Sequence, residues 1–186
     1  MLGQMSLDQT TGASMKQRVR VHQISLKDAR YTLERFHYLK RCRTGRQINF
    51  AILLDGVVDG VITYAYPMMS ASLLGVPSDE LVEFARMFLA SNAPLEATCA
   101  ISKTLRPLPR MWAQLFPEAK ALRLAVSWSD TEYHDGTVYR AANFVWVRRT
   151  KGVPHGDYRH DKDCWVYPFN AKWREELRAQ KSGGSA

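Results

Sequence analysis

The chain is short of cysteine and of acidic residues, and it has no long apolar run. Its three cysteines, Cys42, Cys99 and Cys164, are odd in number, far apart and outside any C-x-x-C pair, which excludes a disulfide framework and a thiolate zinc site. No stretch approaches the roughly 20 apolar residues of a membrane span. The N-terminal MLGQMSLDQTTGASM lacks the basic and apolar regions of a signal peptide. A cytoplasmic protein with no membrane partner is expected. Asp and Glu number 18 against 26 Lys and Arg, a net charge of +8, and such a field attracts polyanions, nucleic acid being the usual one. Lys40, Arg41, Arg43 and Arg46 crowd one loop; Arg148, Arg149, Lys151, Arg159, His160 and Lys162 crowd another. Either cluster is a solvated face or one of two basic loops flanking a DNA duplex.

What is present suffices for one domain with a full core: 186 residues, 46% of them apolar. Residues 1–16 and 176–186 read by composition as flexible tails around a folded unit at 17–175. Arg18 to Ile24 alternates as a strand does, and Ser25 with Asp28 begins a helix whose apolar positions are Leu26, Ala29, Leu33 and Phe36. INFAILLDG and VVDGVITYAYPM form a hairpin about an Asp-Gly turn. ELVEFARMFLA is an apolar strand interrupted by Glu83 and Arg86, which strict alternation places on opposite faces unless a bulge re-aims one of them. A helix from Pro94 to before Pro107, a turn or two in MWAQLF, the strand ALRLAVSWSD, the helical GTVYRAANF and the strands VWVRR and DCWVYPF complete the order β-α-β-β-β-α-β-α-β-β. This is an α/β arrangement with a mixed central sheet flanked by helices, whose sites lie beyond the C-terminal ends of strands. Asp130 and the polar turn after it occupy such an end.

YRAANF, after a strand and a polar turn, resembles the Gcn5-related N-acetyltransferase fold. The Gln/Arg-x-x-Gly-x-Gly/Ala loop of that fold is missing: the junction ASNAPLEATCAI has no glycine, and a phosphate nest needs closely approaching backbone N–H groups. Acetyl-CoA is therefore not expected in the usual mode. FHYL, EFARMFL, SDTEYHDGTVYRAANF and RHDKDCWVYPF together resemble the phage Mom family of DNA-modification proteins. One departure is Tyr-His-Asp-Gly at Tyr133–Gly136, where that family more often has Gly-His-x-Gly. The resemblance implies an acetyltransferase-like enzyme in the host cell cytoplasm. It would convert adenine in double-stranded DNA to an N6-carbamoylmethyl derivative and so shield the DNA from host restriction. It leaves open a homodimer and a donor drawn from host metabolites. It also implies iron, for which His37, Tyr38, Asp130 and Tyr139 are the hard N/O candidates, as metal ligands or as catalytic groups. Asp130 is a candidate general base on the exocyclic amine, and Glu83 and Arg86 shape or charge the pocket.

His37 alternatively is a helix-end cation, Asp135 a helix cap and Asn143 a C-cap. Arg41, Arg43, Arg46, His134, Arg159, His160 and Lys162 are the candidate DNA contacts. The alternative functions are an N-acyltransferase with an acyl-CoA donor and a non-catalytic DNA-binding protein.

Overall fold

In the computed structural model the described residues are 18–68, 73–151 and 160–182. Seven strands form one sheet in the order β1-β2-β3-β4-β5-β7-β6. They are β1 (Val19–Ile24), β2 (Gln47–Leu54), β3 (Val57–Ala65), β4 (Leu81–Leu89), β5 (Leu124–Asp130), β6 (Val145–Thr150) and β7 (Lys162–Pro168). The helices are α1 (Leu26–Phe36), α2 (Pro94–Leu105), α3 (Leu108–Leu115), α4 (Thr137–Ala141) and α5 (Ala171–Ser182).

Local chemistry accounts for most boundaries. Ser25 accepts the Asp28 N–H at 3.2 Å and starts α1. Asp55 and Gly56 both have positive φ, at 51° and 87°, which the two-residue turn between β2 and β3 requires. Apolar side chains cover both faces of the sheet. One cluster includes Phe50, Tyr64, Phe84, Ile101, Trp112 and Trp165, and another gathers Leu81, Leu124, Val126, Val166 and Leu177.

Among the described residues β4 and β5 are the one parallel pair, and their ladder holds only from Leu81–Glu83 to Leu124–Val126. Beyond it both strands continue, β4 to Leu89 and β5 to Asp130, without further backbone pairing, and the Ser127 hydroxyl donates to the Phe84 carbonyl at 3.0 Å just past the last pair. A wedge-shaped opening results in the middle of the sheet. On its other edge β4 is bulged: Thr63 pairs with Arg86 and Tyr64 with Phe84, leaving Ala85 as the extra residue. The bulge shifts alternation by one, which brings Glu83 and Arg86 to the same opening.

The C-terminal tail expected from residue 176 is corrected: α5 continues through it to Ser182. Trp173 and Leu177 are one helical turn apart on the face against the sheet, and Leu177 is buried. The Arg123 guanidinium lies 4.1 Å above the Trp173 ring. The polar composition described α5's solvent face and missed the two residues that anchor it. No helix among the described residues is long and apolar enough to cross a membrane.

Candidate active site

The gap between β4 and β5 is a cavity of about 340 Å³, within the range of small-molecule sites. Glu83, Arg86 and Met87 come from β4; Ser127, Trp128 and Asp130 come from β5; His37–Leu39 follow α1; and the turn from His134 into α4 closes one side. A second, more apolar cavity of about 320 Å³ adjoins it, lined by Phe36, Met87, Phe88, Leu89, Pro94 and Ala97. His37, Tyr38, His134 and Val138 line both.

Asp130 is buried at the end of β5. Its Oδ1 accepts the Glu132 N–H at 3.0 Å, and its Oδ2 lies 3.0 Å from His160 Nδ1. The other His160 nitrogen faces Glu132 Oε2 at 3.0 Å. This corrects the assignment of His160 to a DNA phosphate, since both ring nitrogens are directed at carboxylates. Each Asp130 oxygen keeps a further lone pair, and the residue lines the cavity.

Arg43 is corrected in the same way. Its guanidinium ion-pairs with the Glu83 carboxylate inside the cavity, with only 11% and 12% of the two side chains exposed. Arg46 pairs with Glu118 at 2.7 Å beside the Phe116 ring. Arg41 remains exposed, Lys162 stands at the cavity rim, and Arg159 lies outside the described residues. Because removing one partner of a buried pair strands the other charge, Glu83→Gln is expected to cost roughly 3–5 kcal/mol. Urea unfolding of the variant reads this directly, and unchanged stability would show the pair to be neutral.

His37 caps α1, and its Nδ1 accepts the Leu39 N–H at 3.1 Å. Burial, reinforced by the nearby Arg86 charge, pushes its pKa down to about 4. The ring is therefore neutral and carries its proton on Nε2, which corrects the helix-end cation expected from sequence. Loss of hydration also lowers the His134 pKa. A histidine held neutral in the fold ionises more readily when unfolded, so its contribution is complete above pH 6.5 and is lost as pH falls toward 4. For His37 this amounts to about 3 kcal/mol. Unfolding stabilities at pH 7 and pH 5 should differ by about 2 kcal/mol of that total, and His37→Gln is expected to flatten the slope.

Tyr139 stacks on Trp165, with centroids 5.3 Å apart and planes 11° off parallel, and its hydroxyl lies 3.0 Å from Ser127 Oγ. Burial pushes the phenol up to about 12, so it acts as a neutral hydrogen-bonding group. At the mouth, the His37 and Tyr38 rings stack at 4.5 Å, Tyr133 lies 5.1 Å from Tyr38, and His160 lies 5.7 Å from Tyr133. Tyr38 and Tyr133 are 41% and 54% exposed. Asp135 accepts the Thr137 N–H at 2.9 Å one residue before the Gly136 cap, and Asn143 ends α4 with φ 65°. Asp135 thus satisfies the first amide of α4 as expected, while the expected C-cap at Asn143 shifts by one: Ala142 is the cap and Asn143 the left-handed residue after it. Gly136 has φ +81°, and a Cβ there would meet the Trp165 ring at 2.2 Å. Gly136→Ala should therefore displace the α4 turn and lose roughly 2–4 kcal/mol from overpacking and strain, seen as a lower thermal midpoint.

Of the four candidate iron ligands, His37 and Tyr139 do not present a free donor to a metal ion as the side chains stand. His37 has its Nδ1 lone pair on a backbone N–H and a proton on Nε2, Asp130 is held by His160 and a backbone amide, and the Tyr139 phenol resists ionisation. A metal needs the opposite: a free imidazole lone pair and an ionised phenol. Among the described residues, no three His, Cys, Asp or Glu side chains gather in position to hold a metal.

Sequence reasoning missed Ser127, the partner of Tyr139, and Trp165, the platform beneath it. The spacing Ser127-Trp128-Ser129 was the available signal, because two small hydroxyls on one face of an otherwise apolar strand need partners. Those partners are Tyr139 for Ser127 and the Trp165 indole N–H, at 2.9 Å, for Ser129.

Solved structures share the fold at low identity. NAA60 of Arabidopsis thaliana in complex with acetyl-CoA matches with TM-score 0.58 and 15% identity, over 82% of this chain and 99% of that one. yncA from Salmonella typhimurium with its cofactor acetyl-CoA matches with TM-score 0.57 and 12% identity, over 83% and 95%. The ribosomal-protein-S18-alanine N-acetyltransferase from Escherichia coli matches with TM-score 0.55 and 11% identity, over 82% and 94%. No curated protein matches the chain. The mixed sheet flanked by helices and these matches place the fold in the Gcn5-related N-acetyltransferase-like class. The chain belongs to the Mom protein family, whose model matches residues 18–182.

Proposed function

We propose that this protein is a DNA-modifying transferase that attaches a carbamoylmethyl group to N6 of adenine in double-stranded DNA, protecting that DNA from restriction. The observation that carries the reading is the cavity between β4 and β5, with polar groups inside and exposed planar rings at its mouth. Family membership sets the context. An adenine amine paired within a duplex is out of reach, so the base must leave the stack, and such enzymes hold the extruded base between rings. Tyr38 and Tyr133 are the exposed rings nearest the cavity; their centroids are 5.1 Å apart, so the base would stack on them from outside or part them, while Arg41 and Lys162 are the exposed cations for the backbone.

In the reaction the N6 nitrogen forms a bond to the methylene carbon of the donor, the bond from that carbon to its leaving group breaks, and an N6 proton departs. Asp130 is the group that accepts the proton, oriented by His160 and the Glu132 N–H. The neutral Nε2–H of His37 is the donor available to acceptors on the base or the donor molecule, while the Tyr139 hydroxyl, whose proton goes to Ser127 because Ser127 itself donates to the Phe84 carbonyl, offers a lone pair. Mass spectrometry of nucleosides from plasmid DNA of expressing cells is the test. An adenine species heavier by a carbamoylmethyl group is expected, and its absence in cells that also supply the phage and host background would sink the reading.

A second reading, acyl transfer from coenzyme A, is favoured by the apolar cavity beside the start of α2. Against it, Pro94 occupies the first position of that helix and removes one of the N–H groups that would meet a pyrophosphate. Calorimetry with acetyl-CoA separates the two readings.

A further inference from the structure

Arg86 makes no ion pair among the described residues, although it lines the cavity. Its Nη1 donates to the Ala85 carbonyl at 2.5 Å, and its Nε–H is buried with no hydrogen-bond partner. The carboxylates nearby are engaged elsewhere: Glu83 with Arg43 and the Met68 N–H, Asp130 with His160 and Glu132 N, Asp135 with Thr137. A guanidinium is always charged. Burying it unpaired is costly, and an N–H shut away from water calls for an acceptor. The bulge at Ala85 is what turns this side chain into the cavity instead of leaving it on the opposite face of the sheet, where it would find other neighbours.

We infer that Arg86 is a receptor for an anionic oxygen pair, a carboxylate or a phosphate, brought into the cavity by a ligand. The planar fork suits two oxygens, and Arg43, already neutralising Glu83, removes the repulsion that carboxylate would exert. Under the proposed function the anion belongs either to the donor molecule or to the phosphate next to the extruded adenine.

The test is thermal unfolding of the full chain titrated with sodium acetate or inorganic phosphate, against sodium chloride at matched ionic strength. Wild type is expected to show a saturable rise of about 3–6 °C at ten times Kd. Arg86→Met should lose that rise and, with no buried charge left to satisfy, melt no lower than wild type in chloride. Arg86→Lys keeps the charge without the fork and should show a weaker response. No rise above chloride in wild type, or an equal rise in Arg86→Met, overturns the inference. Repeating the titration with a saturating short duplex distinguishes the sources: a response abolished by DNA assigns the anion to a DNA phosphate, and one that persists assigns it to the small molecule. No modified nucleoside is read, so unmodified plasmid DNA would defeat the proposed function and leave this result standing.

Discussion

Asp130→Asn should lower the yield of modified adenine by about 10²–10⁴-fold, the usual contribution of a positioned general base, with little change in folding. The amide is nearly the same shape and still offers an oxygen to the Glu132 N–H. It has no basicity for the N6 proton, and it weakens the bond to His160. Nucleoside mass spectrometry at matched expression measures the first effect, and circular dichroism and the thermal midpoint measure the second. A variant that modifies at the wild-type rate would reduce Asp130 to an organiser of the turn. If modification and stability fell together, the loss would belong to the fold.

Trp165→Ala should be the most damaging single substitution for stability, at roughly 3–5 kcal/mol. The indole is 2% exposed and serves four neighbours. Tyr139 stacks on one face, Ser129 accepts its N–H, Gly136 is packed against its ring edge, and Arg140 lies 5.7 Å from its centroid. Removing it opens a void under α4 and leaves the Ser129 hydroxyl without its partner. For a chain of this size the melting point should fall on the order of 10 °C, as calorimetry would show. Trp165→Phe keeps a ring under Tyr139 and should recover most of the loss. A small effect of the alanine variant would mean that Tyr139 and α4 are positioned by something other than this platform.

Elements whose signals are local were legible from sequence. The Ser25 cap, the Asp-Gly turn, Pro94 at a helix start and the alternation of β5 each depend on residues within a few positions of one another. The bulge in β4 followed from two charges that alternation could not place on one face. The site was legible only in part. Asp130, Tyr139, His37, Tyr38, Glu83 and Arg86 do line one cavity, because the order of elements and the family motifs already put them near one end of the sheet. The partners were not legible. Arg43 and His160 were assigned to DNA because both stand in basic stretches. A charge reads as free in sequence whenever its counter-ion is remote, and Glu83 is 40 residues from Arg43 while Asp130 is 30 from His160.

The sequence by itself determined most of the elements, their order and the basic character of the protein, since propensity, periodicity and composition act along the chain. Only the tertiary structure decided how far β4 and β5 stay paired, which charges meet, that the His37 lone pair on Nδ1 is taken by a backbone amide, and that Arg86 makes no ion pair among the described residues. Those are matters of burial and of distance through space, where one bulge and one packed indole fix what the neighbours are and how much water reaches them.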